Sequence, residues 1–143
     1  MTPVLSVMVP GVPVPQGSLT SFGRGRPTVH TNKEVLLPWR AAVIATVRAA
    51  MGPDKEWPLT GPVKLSVSFS LPRPPSAPRS RLWPEKKPDL DKLVRAIGDS
   101  LTQAGAIQDD AQIVLLVADK SYGTPAVQID IWPMKRLEVV KDD

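Results

Sequence analysis

The sequence contains no cysteine and a single histidine, and these scarcities exclude several kinds of chemistry. Without cysteine the chain has no disulfide framework, no thiolate metal site and no cysteine nucleophile. His30 alone does not build a multi-histidine zinc site within one chain. No apolar run approaches the ~20 residues that span a bilayer, and the N-terminus lacks the basic start and long apolar stretch of a secretory signal. We therefore expect a soluble, cytoplasmic protein without a membrane partner.

Basic residues outnumber acidic residues in the sequence. Lysine and arginine number 18 against 14 acidic residues, which gives a formal net charge of +4 and an isoelectric point near 9.6. This excess favours a polyanionic partner such as nucleic acid, although many basic proteins bind none. A chain of 143 residues fits one domain, and its 42% hydrophobic residues can fill a core. We expect one domain over residues 1–134 and a charged tail over residues 135–143.

Hydrophobic periodicity predicts six elements. They are a strand at Val4–Val9, a helix at Lys33–Met51, a strand at Val63–Leu71, a helix at Leu90–Ala104, and strands at Ile113–Ala118 and Ala126–Trp132. The fifth element is apolar on both faces, which predicts a central strand. Gly105 is placed to end the second helix in the left-handed conformation. We expect an α+β fold in which a single mixed sheet of about four strands is covered by two main helices.

Two basic segments interrupt these elements. Residues 16–31 read as a polar, mobile loop, and residues 72–88 hold six prolines, which exclude a helix or a central strand there. The second segment is either a semi-rigid extended linker or a basic arm that orders on a phosphate backbone, and its five positive charges favour the arm. The residues that we expect to contact DNA are Arg24, Arg26, Arg73, Arg79, Arg81, Lys86, Lys87 and Lys92.

Two pairs of carboxylates flank the second predicted helix. Asp89 and Asp91 lie at its start, and Asp109 and Asp110 follow its end. Each pair alone has an ordinary structural explanation, an N-cap for Asp89 and a polar turn for the second pair. Caps do not explain both pairs, and Mg²⁺ commonly binds one or two carboxylates together with substrate phosphate oxygens. The acidic residues are therefore a candidate site for Mg²⁺, or for Mn²⁺ in its place, against a phosphodiester.

The helix itself limits how these carboxylates can meet. Asp91, Arg95 and Asp99 share one polar face of the helix. Arg95 either binds a phosphate or forms an ion pair with Asp91, and such a pair would stabilise the helix by roughly 0.2–0.5 kcal/mol. From Asp91 the helix climbs about 20 Å to its end, and residues 105–110 extend at most about 20 Å. Asp110 therefore reaches Asp91 only along a nearly straight return, or the helix ends early, or Asp110 meets Asp91 of a partner chain.

A site of this kind supports metal-assisted phosphodiester hydrolysis. One Mg²⁺ activates a water and aims it in line at phosphorus, and the same ion, or a second about 3.5–4 Å away, stabilises the leaving oxygen. The glycines at Phe22-Gly23-Arg24-Gly25 do not form a P-loop, because the lysine and the following helix are missing.

Three motifs in the middle of the chain resemble the RusA family of Holliday junction resolvases. The order and spacing agree over residues 88–113, and a weaker match covers the proline-rich end of the first strand, the loop with Arg24 and Arg26, and the first helix. The motifs are Pro88-Asp89-Leu90-Asp91-Lys92-Leu93, Asp99-Ser100-Leu101-Thr102-Gln103-Ala104-Gly105 and Asp109-Asp110-Ala111-Gln112-Ile113.

The resemblance implies a homodimeric, Mg²⁺-dependent endonuclease that cuts four-way DNA junctions symmetrically and leaves 5′-phosphate and 3′-hydroxyl ends. It implies that Asp89, Asp91 and Asp110 are the catalytic carboxylates, and that Arg95 stands at the position of the family's functional lysine. Lys92 stands where the family has asparagine. Arginine keeps the positive charge at position 95 but does not donate a proton at neutral pH. The family is common in phages, which would place the protein in a host cytoplasm.

Two other functions fit parts of the pattern. A non-catalytic protein that binds branched DNA with the same fold would use the basic arm equally well, but the acidic cluster would repel phosphate. A small-molecule phosphohydrolase fits the open basic loops poorly. Cleavage of a synthetic four-way junction with Mg²⁺, compared with EDTA and with linear duplex, distinguishes the three.

Overall fold

A computed structural model describes residues 2–17, 19–21, 28–30, 32–53 and 55–134. The predictions for Arg24, Arg26 and the tail at 135–143 lie outside these residues. The elements are β1 (Leu5–Pro10), β2 (Leu19–Ser21), β3 (Thr28–His30), α1 (Lys33–Ala50), β4 (Val63–Leu71), α2 (Leu90–Ala104), a 3₁₀ turn (Asp110–Gln112), β5 (Ile113–Tyr122) and β6 (Ala126–Pro133). β2 and β3 pair as a separate two-stranded sheet within the segment predicted as a loop.

The main sheet is mixed and has four strands, in the order β1-β6-β4-β5. β6 pairs antiparallel with both β1 and β4, whereas β4 and β5 run parallel. β4 alternates strictly between buried and half-buried residues, because its apolar side chains face the helices and its lysine and serines face outward. The predicted α+β fold, with one mixed four-stranded sheet and two main helices, is confirmed.

Both helices pack through apolar stripes onto one face of this sheet. α1 buries Leu36, Trp39, Val43 and Val47, and α2 buries Leu93, Ile97 and Leu101 among others. Pro38 lies inside α1 without ending it, because proline near a helix start removes only one backbone donor. The other face of the sheet is half-open and largely polar, with contacts such as Lys64 over the Trp132 ring.

The prediction that Ile113–Ala118 forms a central strand is wrong. This segment begins β5, which lies at an edge of the sheet and pairs only with β4 among the described strands. Val114, Leu115, Leu116 and Val117 are between 44 and 61% exposed. An apolar run on both faces of a strand is usual where both faces are covered, but here these four side chains remain about half exposed. β5 therefore presents an exposed apolar edge, which soluble proteins normally cover.

Within the described part of the chain, neither helix is long and apolar enough to cross a membrane.

Candidate active site

The start of α2 carries the first pair of carboxylates. Asp89 occupies the N-cap position with extended backbone angles, but its side chain makes no capping hydrogen bond. It lies instead 3.5 Å from the ammonium nitrogen of Lys92. Asp91 is exposed in the first turn, and the unpaired N–H groups of that turn favour its negative charge. Capping by its side chain therefore does not account for Asp89, and both carboxylates face solvent.

The two aspartates of the second pair, Asp109 and Asp110, make different contacts. Asp109 caps the 3₁₀ turn, because its carboxylate accepts the backbone N–H of Ala111 at 2.9 Å. Gln112 completes this capping box by accepting the Asp109 backbone N–H at 3.0 Å, and it also ties the turn to the carbonyl of Leu59. Asp109 is thus committed to the turn. Asp110 is the better candidate for a metal ligand.

Asp110 packs directly against the middle of α2. Its Oδ1 accepts the hydroxyl of Thr102 at 2.7 Å. The carboxyl group sits over Gly98, where an added Cβ would lie 3.2–3.4 Å from the carboxyl atoms. Only glycine leaves ordinary room for the carboxylate at this point of the helix.

Asp99 is the neighbour of Asp110 that the sequence did not indicate. The spacing predicts that Asp99 shares a helix face with Asp91 and Arg95, and it does not connect Asp99 with Asp110. Burial raises the pKa of Asp110 above its usual value. A hydrogen bond with Asp99 and the negative charges of Asp99 and Asp109 raise the pKa further, whereas the hydrogen bond from Thr102 lowers it. Asp110 after α2 and Asp99 within α2 are therefore two like charges side by side.

A polar network from the N-terminal part of the chain fixes Asp99. The buried Gln16 donates its amide to the Asp99 carboxylate and accepts from the Arg40 guanidinium at 3.2 Å. Arg40 also donates to Gln103 at 2.6 Å, and its nearest contact with Asp99 is 4.0 Å. The Gln16 backbone N–H bonds to the carbonyl of Lys92. This network holds Asp99 in place beside Asp110, along one open cleft.

The predicted ligands fall into two separate groups along α2. Asp89 and Asp91 lie at its start, whereas Asp110 lies over Gly98 and beside Asp99 in the second half of the helix. Asp91 and Asp99 are eight positions apart, which is about 12 Å along the helix. α2 runs its full predicted length, so the alternative of an early helix end is wrong. In the part of the chain that the structure describes, no three acidic or histidine side chains lie close enough to hold one metal ion.

Basic side chains accompany the first group. Lys87 and Lys92 line one concavity with Asp89. Arg95 is exposed one turn further along α2, and the described residues include no ion-pair partner for it. Of the two interpretations of Arg95, the ion pair with Asp91 is therefore not formed. Among the described residues Lys87 and Arg95 have no ion-pair partner and are available to an incoming anion, whereas Lys92 is paired with Asp89.

The segment 72–88, called the arm below, is folded and not an extended linker. Arg73 donates to the carbonyls of Pro78 and Arg81 at 2.6 and 2.8 Å and lies over the Tyr122 ring. Lys120 of β5 donates to the carbonyls of Lys86 and Pro88 at 2.9 and 2.7 Å. Arg73 is thus occupied within the protein. The other predicted DNA contacts of the arm differ in exposure: Arg79, Lys86 and Lys87 are exposed, and Arg81 is half-buried near Glu85.

Fold and site together define a small α+β protein that presents carboxylates beside basic side chains, a combination typical of enzymes that act on phosphodiesters. Residues 10–132 match the family described as Endodeoxyribonuclease RusA. The chain is also 31% identical over 133 residues to the uncharacterized protein YqaN of Bacillus subtilis (strain 168). The alignment covers 85% of this chain and 90% of YqaN. The chain therefore belongs to the RusA endodeoxyribonuclease family, and this membership implies Holliday junction endonuclease activity.

The close approach at Gly98 makes a first prediction. We expect Gly98→Ala to keep or slightly raise stability, since alanine favours a helix interior by about 0.5–1 kcal/mol over glycine. The added methyl displaces the Asp110 carboxylate, and we expect junction cleavage to fall about tenfold, the effect of losing ~1.4 kcal/mol of transition-state stabilisation. Thermal unfolding and a cleavage assay measure the two effects. The control is Gly52→Ala, where an added Cβ meets nothing within 4 Å. Equal cleavage by both variants would contradict the role given to Gly98.

The raised pKa of Asp110 makes a second prediction. A carboxyl group whose pKa is higher in the folded than in the unfolded chain stabilises the fold at low pH, and this contribution is lost as the pH rises through the folded pKa. Removing the charge should therefore raise the melting temperature at pH 7. We expect Asp110→Asn to gain about 1–2 °C there, a small effect because the group is partly solvated.

This gain should disappear as the pH falls below the usual carboxyl pKa of about 3.9, because the wild-type carboxyl group takes up a proton there. Melting curves of metal-free protein at several pH values test it. Asp119→Asn, on the open face of the sheet, serves as the control. A loss of stability at pH 7 in Asp110→Asn would show that the carboxylate is not repelled by its neighbours.

Proposed function

We propose that the protein is a homodimeric, Mg²⁺-dependent endonuclease that resolves four-way DNA junctions by paired cuts, leaving 5′-phosphate and 3′-hydroxyl ends. The observation that carries the proposal is the position of the two carboxylate groups relative to the exposed edge strand β5. Neither group alone contains the three carboxylates that the predicted metal site combines. A second copy of the chain supplies what each lacks.

α2 and β5 run in opposite directions along the same edge of the molecule. The start of α2 is close to the end of β5, because Lys120 donates to the carbonyl of Pro88. The end of α2 is close to the start of β5, because Asp110 accepts from Thr102. Asp91 and Asp110 therefore lie near opposite ends of the same edge strand.

An antiparallel pairing of β5 with β5 of a second copy would bring these ends together. The two-fold axis of such a pair sets the start of one strand level with the end of the other. Asp110 would then lie near Asp89 of the partner subunit and Asp91 of the partner subunit. This is the arrangement in which the predicted ligands meet across two chains, and it yields two identical sites.

The apolar edge supports the same pairing on energetic grounds. Burying a Val or Leu side chain fully is worth about 1.5–3 kcal/mol, and Val114–Val117 are about half exposed in the single chain. Pairing also satisfies the backbone N–H and C=O groups of the strand edge. A second copy of β5 offers a matching apolar surface, which a DNA backbone does not.

The side chains present fit a hard divalent cation. Asp89, Asp91 and Asp110 offer carboxylate oxygens, which Mg²⁺ and Mn²⁺ prefer. A cation near Asp110 would also relieve its repulsion from Asp99 and Asp109. When bound, the ion would supply an activated water and stabilise the leaving oxygen.

The basic residues would hold the substrate. Lys87 and Lys92 share a concavity with Asp89 and would bind the phosphate next to the scissile bond. Arg95 would stabilise negative charge on the reacting phosphate, since its guanidinium is charged at any working pH. Arg79 and Lys86 would contact the flanking backbone, as would Arg24 and Arg26.

Cleavage of a four-way junction tests the proposed function. We expect paired cuts with Mg²⁺, none with EDTA, and none on a linear duplex of the same sequence. Asp91→Asn should abolish cutting while junction binding survives or tightens, because a negative charge near phosphate is removed. Junction binding without cutting by the wild-type protein would instead indicate a non-catalytic branched-DNA-binding protein. Normal cutting by Asp91→Asn would remove Asp91 from the site.

A further inference from the structure

Two large apolar side chains project from the arm into solvent. Leu82 is 75% exposed and Trp83 is 65% exposed. Tryptophan is highly buried on average in folded proteins, so an exposed pair of this size needs an explanation. Neither residue has a place in the site described above.

Hydrogen bonds fix the backbone on both sides of Leu82 and Trp83. Arg73 bonds to the carbonyl of Arg81 immediately before the pair. After the pair, Pro84 is buried, and the N–H of Glu85 bonds to the carbonyl of Trp83 at 2.8 Å. The chain on both sides is therefore anchored, and the two side chains are presented outward at a fixed place.

The surroundings of this apolar pair are positively charged. Arg79, Lys86 and Lys87 are exposed on the same arm, and the single acidic residue of the arm, Glu85, lies 3.7 Å from Arg81. An aromatic side chain among cations is the combination that binds nucleic-acid bases, with the ring on a base and the cations on phosphates. A purely apolar protein partner would not require the positive charges of the arm.

The pair also lies close to the carboxylates of α2. Trp83 and Asp89 are six positions apart in the chain, so their Cα atoms are at most about 20 Å apart. A duplex of uninterrupted stacked bases offers no free base face at that distance from a cut. At a branch point, the bases next to the crossover lose a stacking neighbour.

We propose that Trp83 stacks on a base at the branch point of the DNA junction, with Leu82 as an apolar wedge beside it. This inference rests on the proposed function and adds to it the side chain that distinguishes a junction from a duplex. In a continuous duplex the same contact would require unstacking of a base step, which opposes binding. The arm thereby recognises the structure of the DNA and not its sequence.

Binding measurements in EDTA separate recognition from cutting. We expect the dimer to bind a four-way junction more tightly than a linear duplex of the same sequence. Trp83→Ala should weaken junction binding about ten- to a hundredfold, the range that base–aromatic stacking provides, and leave duplex binding unchanged. Trp83→Phe should keep most of the preference. Arg79→Ala should weaken binding to both DNAs alike, and Met8→Ala, an exposed apolar residue on β1, should change neither.

A fluorescent base gives the second readout. With 2-aminopurine at the branch point, the wild-type protein should change its fluorescence on binding, and Trp83→Ala should not. Failure of the wild-type protein to bind junctions would overturn the proposed function together with the inference. A wild-type preference for junctions that Trp83→Ala fully retains would overturn the inference alone. Loss of the dimer in Trp83→Ala, seen by sedimentation, would make Trp83 a subunit contact and would also overturn it.

Discussion

Mixing the Asp91→Asn variant with the Asp110→Asn variant should restore DNA cleavage that neither variant has alone. If each site combines Asp91 of one chain with Asp110 of the other, a mixed dimer carries both substitutions in one site and none in the second. The second site is then intact. If both residues acted within one chain, every site in the mixture would carry a lesion.

The size of the rescue is fixed by counting. Random exchange makes half of the dimers mixed, and each mixed dimer has one intact site of two, so we expect about a quarter of the wild-type nicking rate. The products should be single nicks and not paired cuts, since one strand lacks a working site. The assay follows a junction with labels on two strands, after the subunits have been exchanged under mild denaturation.

Two control mixtures accompany this experiment. Each variant mixed with itself should stay inactive, and Asp91→Asn mixed with Asp89→Asn should also stay inactive, because both residues lie on the same side of the proposed site. If the mixture of Asp91→Asn and Asp110→Asn does not cleave DNA although mass measurements show mixed dimers, the site is not shared between chains.

Placing charges on the β5 edge should separate the subunits and stop cleavage. In the double variant Leu115→Lys with Val117→Lys, two lysines replace side chains that are 44% and 48% exposed, so the fold should survive. Lysines on an edge strand oppose strand pairing. We expect a monomer by sedimentation, an unchanged far-ultraviolet circular dichroism spectrum, and at least about a hundredfold loss of junction cleavage, equivalent to ~2.7 kcal/mol.

The opposite edge of the same sheet provides the matched control. Met8 is 57% exposed on β1, and Met8→Lys should leave both the dimer and the cleavage rate intact. A charged β5 variant that remains dimeric would assign the interface to another surface. A monomeric variant that still cuts with normal speed would show that one chain suffices for catalysis.

Local patterns in the sequence predicted the elements that carry the site. α2 begins after Asp89 and ends at Gly105, which has a φ of 82°, because the cap positions and the apolar stripe depend on residues within the helix itself. β4 likewise follows from the strict alternation of its side chains. The motif over residues 88–113 then indicated the family, and the match over residues 10–132 confirms it.

Contacts between segments distant in sequence could not be predicted in this way. The pairing of Asp110 with Asp99 depends on how the chain folds back over Gly98, and the spacing of the residues does not encode that path. Gln16 reaches Asp99 across 83 positions of sequence. The difference between Asp109 and Asp110 also required the structure, since only the hydrogen bond to Ala111 reveals that Asp109 is a cap.

The sequence by itself determined the helices, most of the strands of the main sheet, the acidic and basic residue types and the family, because each depends on short-range periodicity or on a continuous motif. The tertiary structure decided that β5 lies at an edge, that the arm is folded, and that Asp110 lies apart from Asp89 and Asp91 along α2. The physical reason is that strand order and chain reversal depend on which distant surfaces bury each other. An apolar strand can meet that demand at the centre of a sheet or, as proposed for β5, against a second copy of the protein.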